Sequence, residues 1–318
     1  MKAMRDAFGL ALQEAGDLFP DLLVVDADNS TATRTDLFKQ RFPDRFVQVG
    51  VAEQNMVGVA IGLAQCGYRV VASTFAAFLL GRGWEAIRDG VALEALNVVL
   101  VGTHAGISVG RDGITHMALE DVALTRTLPN LGVVVPADGT QVRSLLLDAL
   151  AVGGPYYLRI SRWGLGEITP PQQPVRLQDP IVLRPGRDCL VLACGLMTQV
   201  ALQAARELED QGLDCGVVCI HTVKPLAAAA FTQLVQGYPC LVVAEEHWST
   251  GGLFGAVAEL VVQVDPKPCV PVGVPDVFPD GGDEVELFRA YGLAAADIRA
   301  AVWTAMAKAN EPRGGMTP

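Results

Sequence analysis

The 318-residue sequence has little positive charge. Its 24 Lys and Arg are outnumbered by 35 Asp and Glu, which gives a formal net charge of −11. Nucleic acids and anionic membrane surfaces are bound mainly through clustered Lys and Arg, and the sequence contains no basic block. We therefore expect a protein that binds neither nucleic acid nor a membrane.

Long hydrophobic runs are also missing, although the mean hydropathy is +0.33. A membrane-spanning helix needs about 20 nearly uninterrupted apolar residues, whereas runs such as 97–101 and 189–193 have only the length of a strand. The first residues show no hydrophobic region of a signal peptide. The sequence thus predicts a cytoplasmic protein whose apolar residues serve buried parallel strands and a large subunit interface.

Metal-binding patterns are scarce as well. Among seven Cys, Cys215 and Cys219 resemble a loosely spaced metal-binding pair, but both lie within the strand-like run DCGVVCI. Cysteines in such runs are usually small buried apolar residues. We predict no metal site in this chain, and the odd number of cysteines is simplest in a reduced cytoplasm.

Short apolar runs alternate with helical patterns over nearly the whole chain. This alternation favours parallel sheets covered by helices, so the predicted fold class is α/β with two domains. Residues 167–187 contain five Pro and little periodicity, which is typical of a linker. We predict one domain over 1–165, a linker over 166–187 and a second domain over 188–318. The predicted strands are 22–26, 45–49, 69–73, 97–101, 132–136 and 155–159, then 189–193, 215–219, 240–244 and 269–273.

Two segments place functional residue types directly after predicted strands. Glu53 follows the strand at 45–49 and a turn at Gly50, and ligands of open α/β sheets bind at that edge. Glu53 could equally serve only to complement the dipole of the following helix. Phe75 and Phe78 follow the strand at 69–73, and they could form either a ligand pocket or the core-facing side of a helix.

The segment Gly102–His116 concentrates polar chemistry. It holds four Gly and two of the four His in the chain, His104 and His116, with Asp112 between them. Glycine permits close approach of the backbone to a ligand, and His and Asp suit acid–base chemistry. A binding or catalytic loop is favoured over an ordinary long loop.

Further candidates follow other strands of the first series. Arg159 and Arg162 suit a phosphate or carboxylate, although either could be a plain surface arginine. Asp28 and Ser30 follow the first strand at the same predicted edge. Arg5, near the N-terminus, carries a weaker signal.

Taken in order, the blocks GVAEQN, STFAAF and THAGISVGRDGITH resemble the C-terminal half of transketolases, which are thiamine diphosphate enzymes. The runs HTVKPL and AEEHWSTGGLFGAVAE extend the resemblance over nearly the whole chain. It implies a pyrimidine-binding domain followed by a transketolase C-terminal domain. The implied activity is that of a transferase in carbohydrate metabolism, which moves a two-carbon unit from a ketose to an aldose.

The resemblance also implies roles for single residues. Glu53 would be the carboxylate that bonds the pyrimidine ring of the cofactor and favours its imino tautomer, with Phe75, Phe78 and Asp28 as further cofactor contacts. Gly81 stands where many relatives carry a third aromatic residue. The implied substrate contacts, with His104 also catalytic, are Arg5, Ser30, His104, Asp112, His116 and Arg162.

Two departures from the family pattern bear on function. Transketolases commonly have THDS where this chain has Ala105 and Gly106, so contacts to the donor sugar are expected to differ. The chain also lacks the GDG motif that holds magnesium and the diphosphate. The resemblance therefore implies a split enzyme, in which a separate N-terminal subunit holds Mg²⁺, the two share thiamine diphosphate, and two copies of each chain form a heterotetramer. Alone, this chain would be inactive.

Other interpretations stay open at this point. The main alternative is the β subunit of a thiamine diphosphate-dependent 2-oxoacid dehydrogenase or of an acyloin-forming enzyme. A catalytically silent scaffold and a bare Rossmann-type redox enzyme fit less well, the latter because no GxGxxG follows a first strand. His104 argues against a deoxyxylulose-phosphate synthase, whose pattern at this point generally differs.

Overall fold

A computed structural model describes residues 3–164, 166–170 and 172–311. Within them, strands and helices alternate as predicted and form two sheets with helices packed on them, which confirms the α/β class. The predicted second domain extends to residue 318, and its last seven residues lie outside the described part. No helix of the described residues has both the length and the apolar character needed to cross a membrane.

The first sheet is built from residues before 161, with one later addition. Its elements are α1 (Met4–Leu18), β1 (Leu22–Asp26), α2 (Ser30–Thr33), α3 (Asp36–Arg41), β2 (Phe46–Gln48), α4 (Glu53–Gln65), β3 (Arg69–Phe75), α5 (Ala76–Ala86), β4 (Val98–Thr103), α6 (Asp121–Thr127), β5 (Gly132–Val134), α7 (Gly139–Val152) and β6 (Tyr156–Ile160). The strands from β5 to β2 are parallel, in the order β5-β6-β4-β3-β1-β2. Residues 107–112 form a 3-10 turn after β4.

The second sheet follows the same construction. Its elements are β7 (Ile181–Arg184), β8 (Cys189–Ala193), α8 (Met197–Glu209), β9 (Cys215–Cys219), α9 (Ala228–Val235), β11 (Leu241–Trp248), α10 (Leu253–Val264), β12 (Cys269–Val274), α11 (Glu284–Ala290) and α12 (Ala295–Asn310). Strand β10 (Thr222–Lys224) lies between β9 and α9 in the chain but belongs to the first sheet. The order is β12-β11-β8-β9-β7, and all pairs except β7 with β9 are parallel.

The central strands explain the high hydropathy. Every residue of β4, β8 and β9 is buried, because helices cover both faces of a parallel sheet. This is why these strands read as continuous apolar runs rather than alternating ones. None of the seven Cys, all within the described part, forms a disulfide, and Cys215 and Cys219 are buried as predicted.

Two short strands depart from the predicted organisation. The segment expected to be a linker contributes β7, which pairs antiparallel with β9. Strand β10, far along the chain, pairs antiparallel with β5 and extends the first sheet. Both pairings depend on partners distant in sequence, and three or four residues carry too weak a pattern to reveal them. Through β10, a segment of the predicted second domain is joined to the first sheet by backbone hydrogen bonds.

Candidate active site

The carboxyl edge of the first sheet collects the predicted functional residues. Because β1, β3, β4 and β6 are parallel neighbours, the segments that follow them emerge at one edge. Phe75 is the last residue of β3, His104 follows β4, and Arg162 lies two residues after β6. Topology therefore brings together residues up to 87 positions apart in sequence.

Glu53 is the first residue of α4 and is buried. Its Oε2 accepts a hydrogen bond of 2.7 Å from Arg82 Nη1 on α5. The two residues border an open cleft of about 720 Å³ beside the N-terminus of α4. The position at a helix start agrees with the dipole interpretation, and the carboxylate is in addition paired with Arg82 at the border of the cleft.

An aromatic group lies next to this carboxylate. The Phe75 and Phe78 rings are stacked, with centroids 5.7 Å apart and an interplanar angle of 25°. The Arg82 guanidinium lies 4.8 Å from the Phe78 ring centre, in the range of a cation–π contact. Both rings are only half-buried, so they do not form the core-facing side of a helix. Gly81, also on α5, faces open space.

The two histidines of the loop meet these rings. The His104 ring centre lies 4.0 Å from that of Phe75, and the His116 ring centre lies 5.1 Å from that of Phe78. The structure thus brings Glu53, the Phe pair and both predicted His into one continuous group.

His104 is held in a strained and buried position. Its φ is +56°, in the left-handed region that residues other than glycine seldom adopt. Nδ1 lies 3.0 Å from Thr103 Oγ1, and Nε2 lies 3.5 Å from Arg5 Nη1. Burial first, and then the charges of Arg5, Arg162 and His116, lower the pKa of His104 to about 3. The imidazole is therefore neutral near pH 7 and suits hydrogen bonding rather than charge pairing.

Cationic groups surround this neutral ring. Arg162 donates a 2.9 Å hydrogen bond to Asp112 Oδ2, and both side chains are partly exposed. Arg5 donates to the carbonyl of Ala32, and burial together with Arg34 and Arg162 lowers the pKa of Arg5. Positive charges this close together repel one another, and a bound anion would relieve that repulsion.

Asp28 and Ser30 follow β1 at the same edge of the sheet but lie apart from the group around His104. The exposed Asp28 has a φ of +64°, and its N–H donates to Gln48 Oε1. Ser30 starts α2. Asn29, between them, donates through Nδ2 to Thr74 Oγ1 at 2.7 Å, which ties this turn to β3. Within the described residues, no hydrogen bond joins Asp28 or Ser30 to the group around His104.

Arg159 does not face this site. Its Nε donates to Asp121 Oδ2 at 2.7 Å, and both side chains are buried. Arg159 lies within β6 and its side chain is buried, whereas Arg162 lies beyond the end of the strand and its side chain is partly exposed. Arg159 as a ligand for a free anion is thus excluded by its own buried ion pair.

Arg82 was missed by the sequence analysis. It lies four residues after Phe78 on one helix, and residues at that spacing share a face. Extending the aromatic motif by one helical turn would have found it. Among residues 3–164, 166–170 and 172–311, no cluster of three His, Cys, Asp or Glu side chains could hold a metal ion.

The departure at Gly106 has a structural reason. Its φ is +86°, and a Cβ at this position would lie 2.2 Å from Glu246 Oε1 of the second sheet. Glycine is therefore required by a close approach as well as by the backbone angle.

Comparison with known families matches both parts of the chain. The family described as "Transketolase, pyrimidine binding domain" matches residues 1–167, and "Transketolase, C-terminal domain" matches residues 180–298. Together they span most of the sequence.

Individual proteins resemble the chain over similar lengths. A Methanocaldococcus jannaschii protein described as a transketolase C-terminal section is 37% identical over 96% of this chain and 97% of its own length. A 6-deoxy-6-sulfo-D-fructose transketolase subunit of Clostridium sp. (strain MSTE9) is 36% identical over 93% and 92%, respectively. The 1-deoxy-D-xylulose-5-phosphate synthase of Dictyoglomus turgidum is 35% identical over 91% of this chain, which spans only 47% of that longer protein.

One solved structure is similar along its whole length. A split gene transketolase, determined as an inactive β4 tetramer, superposes with a TM-score of 0.91 at 41% identity. The match covers 98% of this chain and 100% of that one.

Proposed function

The chain belongs to the transketolase family, and we propose that it is the C-terminal component of a two-subunit, thiamine diphosphate-dependent transketolase. In this proposal an N-terminal subunit supplies the diphosphate and magnesium domain, and two copies of each chain assemble. The enzyme moves a two-carbon ketol unit from a ketose to an aldose. The described division into two sheets fits the proposed domains, residues 1–165 and 188–318.

One observation carries the proposal. A single sheet edge combines a buried carboxylate at a cleft, a stacked Phe pair, a neutral buried His and two arginines. A thiamine site needs the carboxylate and the aromatic rings, whereas sugar phosphate recognition needs hydrogen-bonding groups beside cations. Both sets meet at the ring contact between Phe75 and His104.

The donor set of this chain fits the pyrimidine half of the cofactor. Of the two carboxylate oxygens of Glu53, only Oε2 has a hydrogen-bond partner within the described residues. Oε1 can therefore accept a bond from the pyrimidine ring N–H that the imino tautomer carries. Phe75 and Phe78 provide an apolar flank that strengthens such a bond. When bound, thiamine diphosphate would supply a nucleophilic carbon for the reaction at the ketose carbonyl. Asp28, exposed at the rim, is the remaining proposed cofactor contact.

In this proposal, side chains of the loop and two arginines bind the sugar. His104, neutral near pH 7, exchanges a hydrogen bond with a substrate hydroxyl, and Asp112 and His116 contact further hydroxyls and the acceptor's anionic end. Arg162 and Arg5 bind that anionic group, with Ser30 as an additional donor. Arg162 must share its guanidinium between Asp112 and the substrate, since the two are joined at 2.9 Å.

A separate partner subunit is supported by the relatives of similar length. One is described as a transketolase subunit and another as a split gene transketolase that is inactive as a β4 tetramer. We propose by analogy that this chain alone also lacks activity. The named sulfonated sugar of the Clostridium protein makes an anionic group other than phosphate a reasonable candidate substrate feature.

Reconstitution tests the proposal. The chain is mixed with an N-terminal transketolase subunit, thiamine diphosphate and Mg²⁺, and aldose release from ketose phosphates is measured against each chain alone. We expect turnover only in the mixture.

Parallel reactions with pyruvate separate the alternatives. Condensation of pyruvate with an aldose phosphate would indicate a deoxyxylulose-phosphate synthase, and transfer to a lipoyl acceptor would indicate the 2-oxoacid dehydrogenase. Either result, without turnover of any ketose, would overturn the transketolase assignment.

A further inference from the structure

Glu246 is a buried acid of the second sheet that reaches into the sugar-binding loop of the first. It lies near the end of β11. Its Oε1 accepts a 2.7 Å hydrogen bond from the backbone N–H of Ser108, 138 residues away in sequence. Both residues are buried, so the bond is shielded from water and its loss would leave a buried N–H without a partner.

The loop is shaped to admit this carboxylate. Gly106 has no side chain where one would lie 2.2 Å from Glu246 Oε1. The Gly106 N–H donates to the carbonyl of Ala118, which closes the loop on itself around the acid. The contact is therefore part of the loop conformation and not an incidental touch between two domains.

The bond to Ser108 also leads to the arginine of the site. Ser108 Oγ lies 2.9 Å from Ser161 Oγ, which accepts a hydrogen bond from the N–H of Trp163. Ser161 and Trp163 flank Arg162. One carboxylate thus supports both the loop that carries His104 and Asp112 and the turn that carries the proposed anion-binding arginine.

Glu246 is itself fixed from behind. Arg159 Nη2 donates to the Glu246 carbonyl at 2.8 Å and to the Ala118 carbonyl at 3.2 Å, while its Nε bonds Asp121. Arg159 is not available to a free anion, but its bonds hold the backbone of β11 close to the loop.

We propose that Glu246 is a positioning residue, by which the second domain sets the conformation of the substrate-binding loop over residues 104–112. The inference rests on the proposed function for its link to sugar binding. The structural part of the inference, that Glu246 orders this loop, does not depend on which reaction the enzyme catalyses.

The neighbouring Glu245 provides a matched control. It is a buried Glu of the same strand whose two oxygens each accept a backbone N–H bond, from Leu253 and Phe254 at 2.6 and 2.9 Å. Those bonds lie at the start of α10, within the second domain. Removing Glu245 costs two buried hydrogen bonds to backbone N–H groups and removing Glu246 costs one, so the control is at least as disruptive locally. Of the two acids, only Glu246 bonds the loop among the described residues.

Hydrogen exchange of the chain alone tests the structural part. In Glu246→Ala we expect amides in the 105–110 segment to exchange about tenfold or more faster, as loss of the acceptor of one buried N–H group predicts. In Glu245→Ala the increase should appear at 253–256 instead. Unchanged exchange at 105–110 in Glu246→Ala, or an equal increase there in both variants, would refute the proposal.

Kinetics of the reconstituted enzyme test the link to the sugar. Glu246→Ala should raise KM for the sugar phosphate about tenfold. Glu246→Gln, which keeps an acceptor oxygen for the Ser108 N–H, should restore most of that loss, and Glu245→Ala should leave KM unchanged. A loop loosened in exchange but with an unchanged KM would overturn the positioning role. If no ketose is turned over at all, the proposed function fails while the exchange result still decides whether Glu246 orders the loop.

Discussion

The carboxyl edges of the two sheets carry similar residues but differ in their exposure. In both, polar side chains follow buried parallel strands. At the first sheet they border an open cleft, whereas at the second they are covered by the first domain through bonds such as Val135 N–H to the His221 carbonyl and Trp248 N–H to the Leu119 carbonyl. A polar residue after a strand therefore marks the edge of a sheet, but only its surroundings tell a site from a domain contact.

Two histidines make the comparison concrete. His104 and His221 each lie beside a Thr hydroxyl 3.0 Å from Nδ1, and burial lowers the pKa of both, to about 3 and about 4. Their Nε2 atoms differ, since that of His221 bonds the Asp179 carbonyl at 2.8 Å and that of His104 lies 3.5 Å from Arg5. The local surroundings of the two rings are the same, and only the partner of Nε2 separates His221 from His104, the proposed substrate contact.

The largest expected effect contrasts two buried acids beside helix N-termini, Glu53 in α4 and Glu245 in β11. Glu53→Gln should lower kcat of the reconstituted enzyme by about 10²–10⁴-fold, because the carboxylate is the proposed acid–base partner of the cofactor, with little change in Tm. Glu245→Gln weakens the bonds from the N–H groups of Leu253 and Phe254 at the start of α10, so it should lower Tm and leave kcat near that of the wild type. Normal turnover by Glu53→Gln would remove Glu53 from its proposed role.

The second contrast concerns two glycines. Gly106→Ala forces a Cβ toward Glu246 and a left-handed backbone onto Ala, which together should lower the free energy of unfolding by about 2–5 kcal/mol. Gly81→Ala, within α5 and facing open space, should raise it by about 0.5–1 kcal/mol. Chemical denaturation of the chain measures both. A tolerated alanine at position 106 would contradict the close approach of Glu246.

Substituting the two histidines sharpens the distinction between the edges. His104→Asn should reduce kcat/KM by about tenfold to a hundredfold through a lost substrate hydrogen bond, with a small change in stability. His221→Asn should instead cost about 1–3 kcal/mol of stability and leave kcat/KM unchanged. The opposite pattern would show that the edge of the first sheet is not the site.

The smallest effect is a pH dependence of stability. Burial raises the pKa of Glu246 from 4.5 to about 7, although Arg159 on β6 and the Ser108 N–H act against it, while Asp121 on α6 adds to the rise. Between those values the folded chain holds a proton that the unfolded chain has lost, so stability contributed at this group falls as pH rises. Glu246→Gln does not titrate, and its Tm relative to the wild type should increase by on the order of a few degrees from about pH 5 to about pH 8. A constant difference would show that Glu246 has no raised pKa.

Much of this could be predicted from the sequence. Continuous apolar runs located the buried strands, and β1, β8 and β9 fall at the predicted bounds, because strands buried on both faces cannot alternate. The position of Glu53 at a helix start and of His104 after a strand followed from local pattern as well. The family motifs then supplied the roles, which remain proposals.

Other features depend on residues that are distant in sequence. Strand β10 joins the first sheet only because β5 presents a free edge to it, and Arg82 pairs with Glu53 because α4 and α5 pack side by side. The two acids of β11 are adjacent and alike in sequence, yet one caps a helix and the other reaches the sugar-binding loop. Residue type and periodicity determined which side chains lie at the edges of the sheets. The tertiary structure decided which edge stays open, because alternate side chains on a strand point to opposite faces and their partners are set by packing alone.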